Sequence, residues 1–239
     1  MTQKELQDRY ISIRKEYRQN KEINVDQFLD KPFHYQYDEN VKNCDILFLG
    51  INPAEGVDTE TDTFYTKEDI ETGKTDYYKP FFDIQKELEE TYFPSRKITW
   101  THFDIFPFKK TKQSFITDKL LKTQKRRQFL HLLASIAKER IIDIQPKIIV
   151  VSNALVRTFM GKDRSITPSG EEVGVWMDFK FQFDINKGTD LILSPDILKQ
   201  TPVLFTSMLS GQRALDKGSR ERLVWHRASL LDQKEMRHV

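Results

Sequence analysis

The sequence has few of the residues that build disulfide frameworks or metal centres. Its 239 residues include one cysteine, Cys44, which excludes an intrachain disulfide and any zinc cluster built on several cysteines. The histidines show no paired ligand spacing such as His-x-x-x-His: they are His34, His102, His131, His226 and His238. We therefore expect no metal site, and no other cofactor.

Long apolar runs are also missing. Residues 1–9 are polar, without the apolar centre of a signal peptide, and no run approaches membrane-spanning length. We expect a cytoplasmic monomer that does not bind membranes. Because the chain contains neither an internal repeat nor a low-complexity linker, we expect one domain over residues 1–239, with an N-terminal helical extension over residues 1–40. The formal net charge of +2 neither requires nor forbids an anionic partner.

Short apolar runs alternate with helical patterns along the chain. They predict buried strands at residues 45–50, 97–106, 147–152 and 202–205. Such alternation of strand and helix predicts an α/β fold of three α/β/α layers around a mainly parallel, four-stranded sheet. Phenylalanines alternate with other residues over 179–183, and Asn186-Lys-Gly188 supplies turn chemistry. This pattern predicts a β-hairpin inserted before the last strand.

The most informative stretch is Asp45 to Gly56. Its apolar run ends in Gly50 and is followed at once by Asn52 and Pro53. Pro53 fixes its own φ and biases Asn52 toward an extended backbone. The pattern predicts a strand that carries the Asn52 carboxamide to the rim of the sheet, where ligands of open α/β folds bind. An ordinary Gly-x-Asn-Pro turn is the structural alternative.

Four segments, in this order, resemble the uracil-DNA glycosylase superfamily, nearest its mismatch-specific branch, which includes thymine-DNA glycosylase. They are Gly50-Ile-Asn-Pro53, Phe103-Asp-Ile-Phe-Pro-Phe-Lys109, Ile149-Val-Val-Ser-Asn-Ala154 and Met208-Leu-Ser210 with Arg213. The likeness covers roughly residues 44–231. It implies a uracil-DNA glycosylase-like fold and a monofunctional enzyme. Such an enzyme hydrolyses the N-glycosidic bond of a uracil-like, mismatched or modified pyrimidine flipped out of DNA.

The resemblance also implies roles for particular residues. Asn52 would orient the attacking water. Glu55 is not expected from the family pattern, but a carboxylate there could activate water, with a solvated surface carboxylate as its alternative. Residues expected at the base are Gly50, Ile51, Ala54, Phe64, Tyr78, Asp104, Asn153 and Met208. Residues expected at the DNA are Lys109, Lys110, Lys112, Ser210, Gly211, Gln212 and Arg213.

Asp104 and Met208 are among the positions that depart from the family pattern. Asp104 stands where the family usually carries an Asn that reads the base. An ionised carboxylate only accepts hydrogen bonds, so Asp104 favours a base with an exocyclic amine over uracil. Met208 replaces a His that many members use to stabilise the departing base, and a core methionine is its alternative.

The charges along the chain favour DNA binding in one segment and oppose it in another. Residues 109–127 carry eight basic residues against one acid, which suits a phosphate-binding groove but also an ordinary solvated face. Residues 55–76 are strongly acidic, which opposes DNA binding at the same edge. Two alternatives stand beside the glycosylase. The departures at Asp104 and Met208 leave open a non-catalytic relative that binds nucleic acid or a nucleotide. Because a fold does not fix a function, an unrelated flavodoxin-like enzyme for a small phosphorylated ligand is the other.

Overall fold

The computed structural model describes residues 1–38, 41–55, 62–65, 76–209 and 215–235, without the side chains of residues 63–65, 76 and 233–235. The helices in this part of the chain are α1 (Gln3–Arg18), α2 (Lys79–Thr91), α3 (Ser114–Asp118), α4 (Gln124–Ile144), α5 (Ala154–Met160) and α6 (Lys217–Glu235). The strands are β1 (His34–Gln36), β2 (Ile46–Gly50), β3 (Thr63–Tyr65), β4 (Trp100–Asp104), β5 (Ile148–Val151), β6 (Ser165–Ile166), β7 (Glu172–Val173), β8 (Lys180–Asp184), β9 (Thr189–Ser194) and β10 (Pro202–Phe205).

The central sheet has six strands in the order β4-β2-β5-β10-β9-β8. Its first four strands are parallel, as predicted, with Leu47 beside Ile149 and Ile149 beside Val203. The prediction of a four-stranded sheet is wrong, because the hairpin β8–β9 joins it: β9 pairs antiparallel with β10. A hairpin that follows a helix and precedes the last strand can add to that strand's open edge, which leaves fewer backbone groups unpaired.

Helices cover both faces of the sheet because successive strand residues point to opposite sides. Leu47 and Leu49 of β2 belong to a core cluster with α1, α4 and α5. Ile46 and Phe48, the alternate residues, belong to a second cluster with α2 and α6. Burial on both sides explains why β2 reads as a continuous apolar run in the sequence.

The N-terminal segment packs into the first of these clusters. Thr2 caps α1: its side chain accepts from Glu5 N, while the Glu5 carboxylate accepts from Thr2 N. The buried face of α1 carries Leu6, Tyr10 and Ile13, at the helical spacing that the sequence predicts. Within residues 1–38, α1 and the residues that follow it therefore contribute to the main core.

The chain after β4 forms two helices where the sequence predicts one. The sequence predicts one helix over residues 117–142, whereas the structure has a short α3 and a separate α4. Thr123 divides them by capping α4 with a hydrogen bond from Arg126 N. No helix in the described residues combines the length and the apolar character needed to cross a membrane.

Candidate functional site

The parallel strands β2, β4, β5 and β10 end at one edge of the sheet. From β2 the chain passes to β4 on one side, and from β5 it passes to β10 on the other, so the order reverses between β2 and β5. Such a reversal opens a crevice outside the carboxyl ends of the two strands. Asn52 follows β2 and Asn153 follows β5, so both flank this crevice. Met208 follows β10, which is two strands from β2 and ends at the same edge.

The Asn52 carboxamide is fixed by the loop that follows β4. Its Nδ2 donates to the carbonyl oxygens of Lys110 at 2.6 Å, Pro53 at 3.0 Å and Phe108 at 3.4 Å. Carbonyl oxygens only accept, so the amide nitrogen must face them. Oδ1 then points the other way, and no described residue donates to it. The half-buried Asn52 thus has a structural role through Nδ2, and its Oδ1 has no donor among the described residues.

Asp104 lies beside Gly50, because the two residues are register partners at the ends of β4 and β2. The carboxyl is buried, with Gln36 Nε2 donating to Oδ2 at 3.5 Å and Asp104 N donating to Gln36 Oε1 at 3.2 Å. Burial raises the pKa of Asp104 to about 7, against the lowering influence of the Gln36 hydrogen bond and the Arg140 charge. At neutral pH this carboxyl is therefore partly protonated.

Gly50 is required by the position of that carboxyl. A Cβ at residue 50 would overlap Asp104 Oδ1 and would lie 3.2 Å from its Cγ and 3.1 Å from His102 Nε2. The Gly50 backbone is not left-handed, so the constraint comes from space and not from φ. A strand-end glycine here lets a buried carboxyl sit over the backbone of the neighbouring strand.

His102 is two residues before Asp104 and shares its face of β4. The ring is fully buried among Tyr77, Tyr78 and Phe81, and Nε2 lies 3.3 Å from the Tyr77 hydroxyl. Burial lowers the pKa of His102 to about 3, so the imidazole is neutral. Nδ1 is buried without a hydrogen-bond partner. Neither His102 nor Gln36 was predicted as a site residue, although the i, i+2 spacing of His102 and Asp104 on a predicted strand places their side chains on one face.

Glu55 is an exposed carboxylate on the same loop. Lys110 Nζ donates to its Oε1 at 3.0 Å, and Lys31 Nζ lies 3.6 Å away. The Lys110 hydrogen bond lowers the pKa of Glu55, which makes it a weaker proton acceptor than an ordinary glutamate. This geometry supports the surface alternative for Glu55 and gives Asn52 the stronger claim to orient water.

Other residues predicted at the base occupy varied environments. Asn153 caps α5, with its Oδ1 accepting from Leu155 N at 2.9 Å. Tyr78 and Ile51 are buried core residues, and Ala54 is exposed. Met208 is half-buried, and its carbonyl accepts from Leu215 N at 3.0 Å. The side chain of Phe64 lies outside the described part of the structure.

The predicted DNA contacts also differ in exposure. Lys112 is exposed, and the half-buried Lys110 is already engaged by Glu55. Lys109 is only 6% exposed, so it is not a surface cation in this structure. Ser210, Gly211, Gln212 and Arg213 lie outside the described residues. Within the part of the chain that the structure describes, no group of three His, Cys, Asp or Glu residues could hold a metal ion.

Replacing Asp104 by Asn tests the raised pKa through stability. Between about pH 4 and pH 7 the unfolded carboxyl ionises while the folded one keeps its proton, so the wild-type protein loses stability as pH rises through this window. Asn at residue 104 keeps the shape without this loss. We expect the stability advantage of Asp104→Asn to grow by about 2–4 kcal/mol from pH 4 to pH 8 and to level off above pH 7.

Chemical denaturation at pH 4, 6 and 8 measures this advantage. Asp118→Asn, at an exposed acid beside Thr117, is the matched control and should show little pH-dependent difference. A constant difference between Asp104→Asn and the wild type across the three pH values would contradict the raised pKa.

Comparison of the chain with protein-family models, with curated proteins and with solved structures finds no match.

Proposed function

We propose that the chain is a DNA glycosylase that hydrolyses the N-glycosidic bond of a pyrimidine flipped into the crevice between β2 and β5. One observation carries the proposal: Asn52 is held through its amide nitrogen, which leaves Oδ1 as a positioned acceptor at this crevice. Oδ1 can accept a hydrogen bond from a water and so fix the direction of that water's lone pairs. The order of the four sequence segments that resemble the superfamily supports the same activity.

The chemistry at this site depends on orientation more than on a strong base. An amide does not take up a proton at neutral pH, and the paired Glu55 has a lowered pKa. The reaction must then rely on a good leaving base and on a sugar that carries positive charge in the transition state. Backbone N–H groups and a protonated carboxyl are the available means of stabilising the negative charge that leaves with the base.

Asp104 is our candidate for reading the base. In its protonated form it offers one O–H donor and one carbonyl acceptor, the same pair that an Asn amide offers. In its ionised form it only accepts. With a pKa of about 7, both forms are populated near neutrality. We therefore expect base carbonyls to be favoured below pH 7 and exocyclic amines to be favoured above it.

An oligonucleotide panel tests the proposal. Duplexes and single strands carrying uracil, mismatched thymine, hypoxanthine or a modified cytosine are incubated with the full chain at pH 6 and pH 8, and alkali-labile abasic sites are measured. We expect release of at least one base, with Asn52→Ala, purified identically, as the control for contaminating glycosylases. Equal release by both preparations, or no release from any oligonucleotide, would overturn the proposal.

A non-catalytic relative that binds nucleic acid is the second candidate, and one observation favours it. The Asn52 amide donates to three backbone carbonyls, so this residue has a structural function that requires no chemistry. Salt-dependent DNA binding by the full chain, without base release from any member of the panel, is the result expected of this candidate.

A further inference from the structure

A separate cavity of about 220 Å³ lies along the outer edge of β4. Three parts of the chain line it: residues 36–38, residues 97–102, and Phe82 with Gln85 of α2. Asn52, Asn153 and Met208 are not among its lining residues. The cavity therefore lies beside the first half of β4 and is distinct from the crevice between β2 and β5.

One wall of this cavity is an open strand edge. Within the described sheet β4 pairs only with β2. Thr99 O accepts from Ile46 N, and Ile105 N donates to Gly50 O, so odd-numbered residues of this strand direct their backbone groups toward β2. Backbone groups alternate along a strand, so those of Trp100 and His102 point outward. The outward N–H of Asp104, which donates to the Gln36 side chain, agrees with this direction.

The carbonyl of Trp100 and the N–H of His102 thus form an adjacent acceptor and donor, and no described backbone group pairs with either. Buried polar groups are nearly always satisfied in native proteins. A wall with one unpaired backbone acceptor and one unpaired backbone donor is therefore suited to a ligand that supplies the two missing hydrogen bonds.

The remaining walls limit the size, shape and charge of such a ligand. The Phe82 and Trp100 rings, 5.1 Å apart at 78°, give the cavity flat apolar surfaces. One acid, Asp38, and one base, Lys97, are the charged lining residues beside the neutral His102, so the lining has no net charge. Its volume is below the roughly 300 Å³ at which pockets for drug-sized ligands begin. A small, neutral, planar molecule fits these limits.

We propose that this cavity binds a small neutral heterocycle with a cyclic amide edge, the chemistry of a free nucleobase such as uracil. The ligand N–H donates to Trp100 O, the adjacent ligand carbonyl accepts from His102 N, and the ring packs against Phe82. The pairing follows the pattern by which a further strand would bind the same edge. This site does not depend on the proposed glycosylase activity.

Calorimetric titration of the full chain with uracil tests the site, and 1,3-dimethyluracil is the matched ligand without N–H donors. We expect dimethylation to weaken binding by about tenfold or more, the effect of one lost hydrogen bond. Phe82→Ala should weaken uracil binding by about fivefold or more through lost packing. Phe93→Ala removes a ring from the same core cluster without touching the cavity, and it should leave the affinity within about twofold.

Asn52→Ala separates this site from the crevice, because Asn52 does not line the cavity. We expect it to leave uracil affinity within about twofold. Equal binding of uracil and 1,3-dimethyluracil, loss of binding in Asn52→Ala with retention in Phe82→Ala, or no detectable binding of uracil would each overturn the proposed cavity site. None of these titrations uses DNA, so their failure is distinguishable from failure of the oligonucleotide panel.

Discussion

Replacing Asn52 by alanine is expected to lower the rate of base release by about 100-fold or more. The variant loses an acceptor whose side chain the structure holds in place through its amide nitrogen, and a mispositioned water alone can reduce a rate by this factor. Single-turnover base release with saturating enzyme measures the effect on the chemical step. DNA affinity, measured separately, should change little.

The structural function of Asn52 requires its own control. Loss of the hydrogen bonds from the two amide protons to backbone carbonyls should lower the free energy of unfolding by about 1–3 kcal/mol, so rates are compared well below the unfolding transition. Glu55→Gln perturbs the same loop by removing the charge that pairs with Lys110 and Lys31. We expect its rate within about threefold of wild type. A 100-fold loss in Glu55→Gln instead would make Glu55 the catalytic base.

The sequence was sufficient to predict the elements whose signals are local. The strands β2, β5 and β10 are buried on both faces, so each appears in the sequence as a short continuous apolar run that predicts a strand. The hairpin β8–β9 was equally predictable from its alternating phenylalanines and glycine turn. The pairing of this hairpin with β10 was not predictable, because strand pairing depends on tertiary contacts that the sequence of either strand alone does not show.

Contacts between distant parts of the chain were also not predictable for the residues of the site. Chain order brings Asn52 to the rim of the sheet, and this much follows from a strand ending in Gly-x-Asn-Pro. That its amide would face Phe108 and Lys110 does not follow, since those carbonyls come from a loop more than fifty residues later. Gln36 was not predicted for a similar reason, because its contact with Asp104 joins residues 68 positions apart.

Burial was the least predictable property. Lys109 was expected to be exposed because lysines are rarely buried, yet it is only 6% exposed. Asp104 was treated as an ordinary ionised carboxylate, and only its burial beside Gly50 raises its pKa. These environments change the chemistry expected of each residue, and they exist only once the chain is folded.

Gly50→Ala is expected to destabilise the fold by about 3 kcal/mol, a large effect for a single methyl group. The new Cβ would overlap Asp104 Oδ1 and crowd His102 Nε2. Neither neighbour can move away easily, because Asp104 is held by Gln36 and His102 is enclosed by aromatic rings. Urea unfolding at pH 6, where the Asp104 carboxyl is mostly protonated, measures the loss.

A double-mutant cycle identifies the cause of this loss. In an Asp104→Ala background the carboxyl that meets the new Cβ is gone, and only the His102 contact at 3.1 Å remains. Gly50→Ala should then cost about 1 kcal/mol or less, which leaves a coupling energy of about 2 kcal/mol between the two positions. Equal losses in both backgrounds would mean that the close approach of Gly50 and Asp104 does not set the requirement for glycine. The loss of stability in Gly50→Ala would then have to come from another contact at the β2–β4 edge.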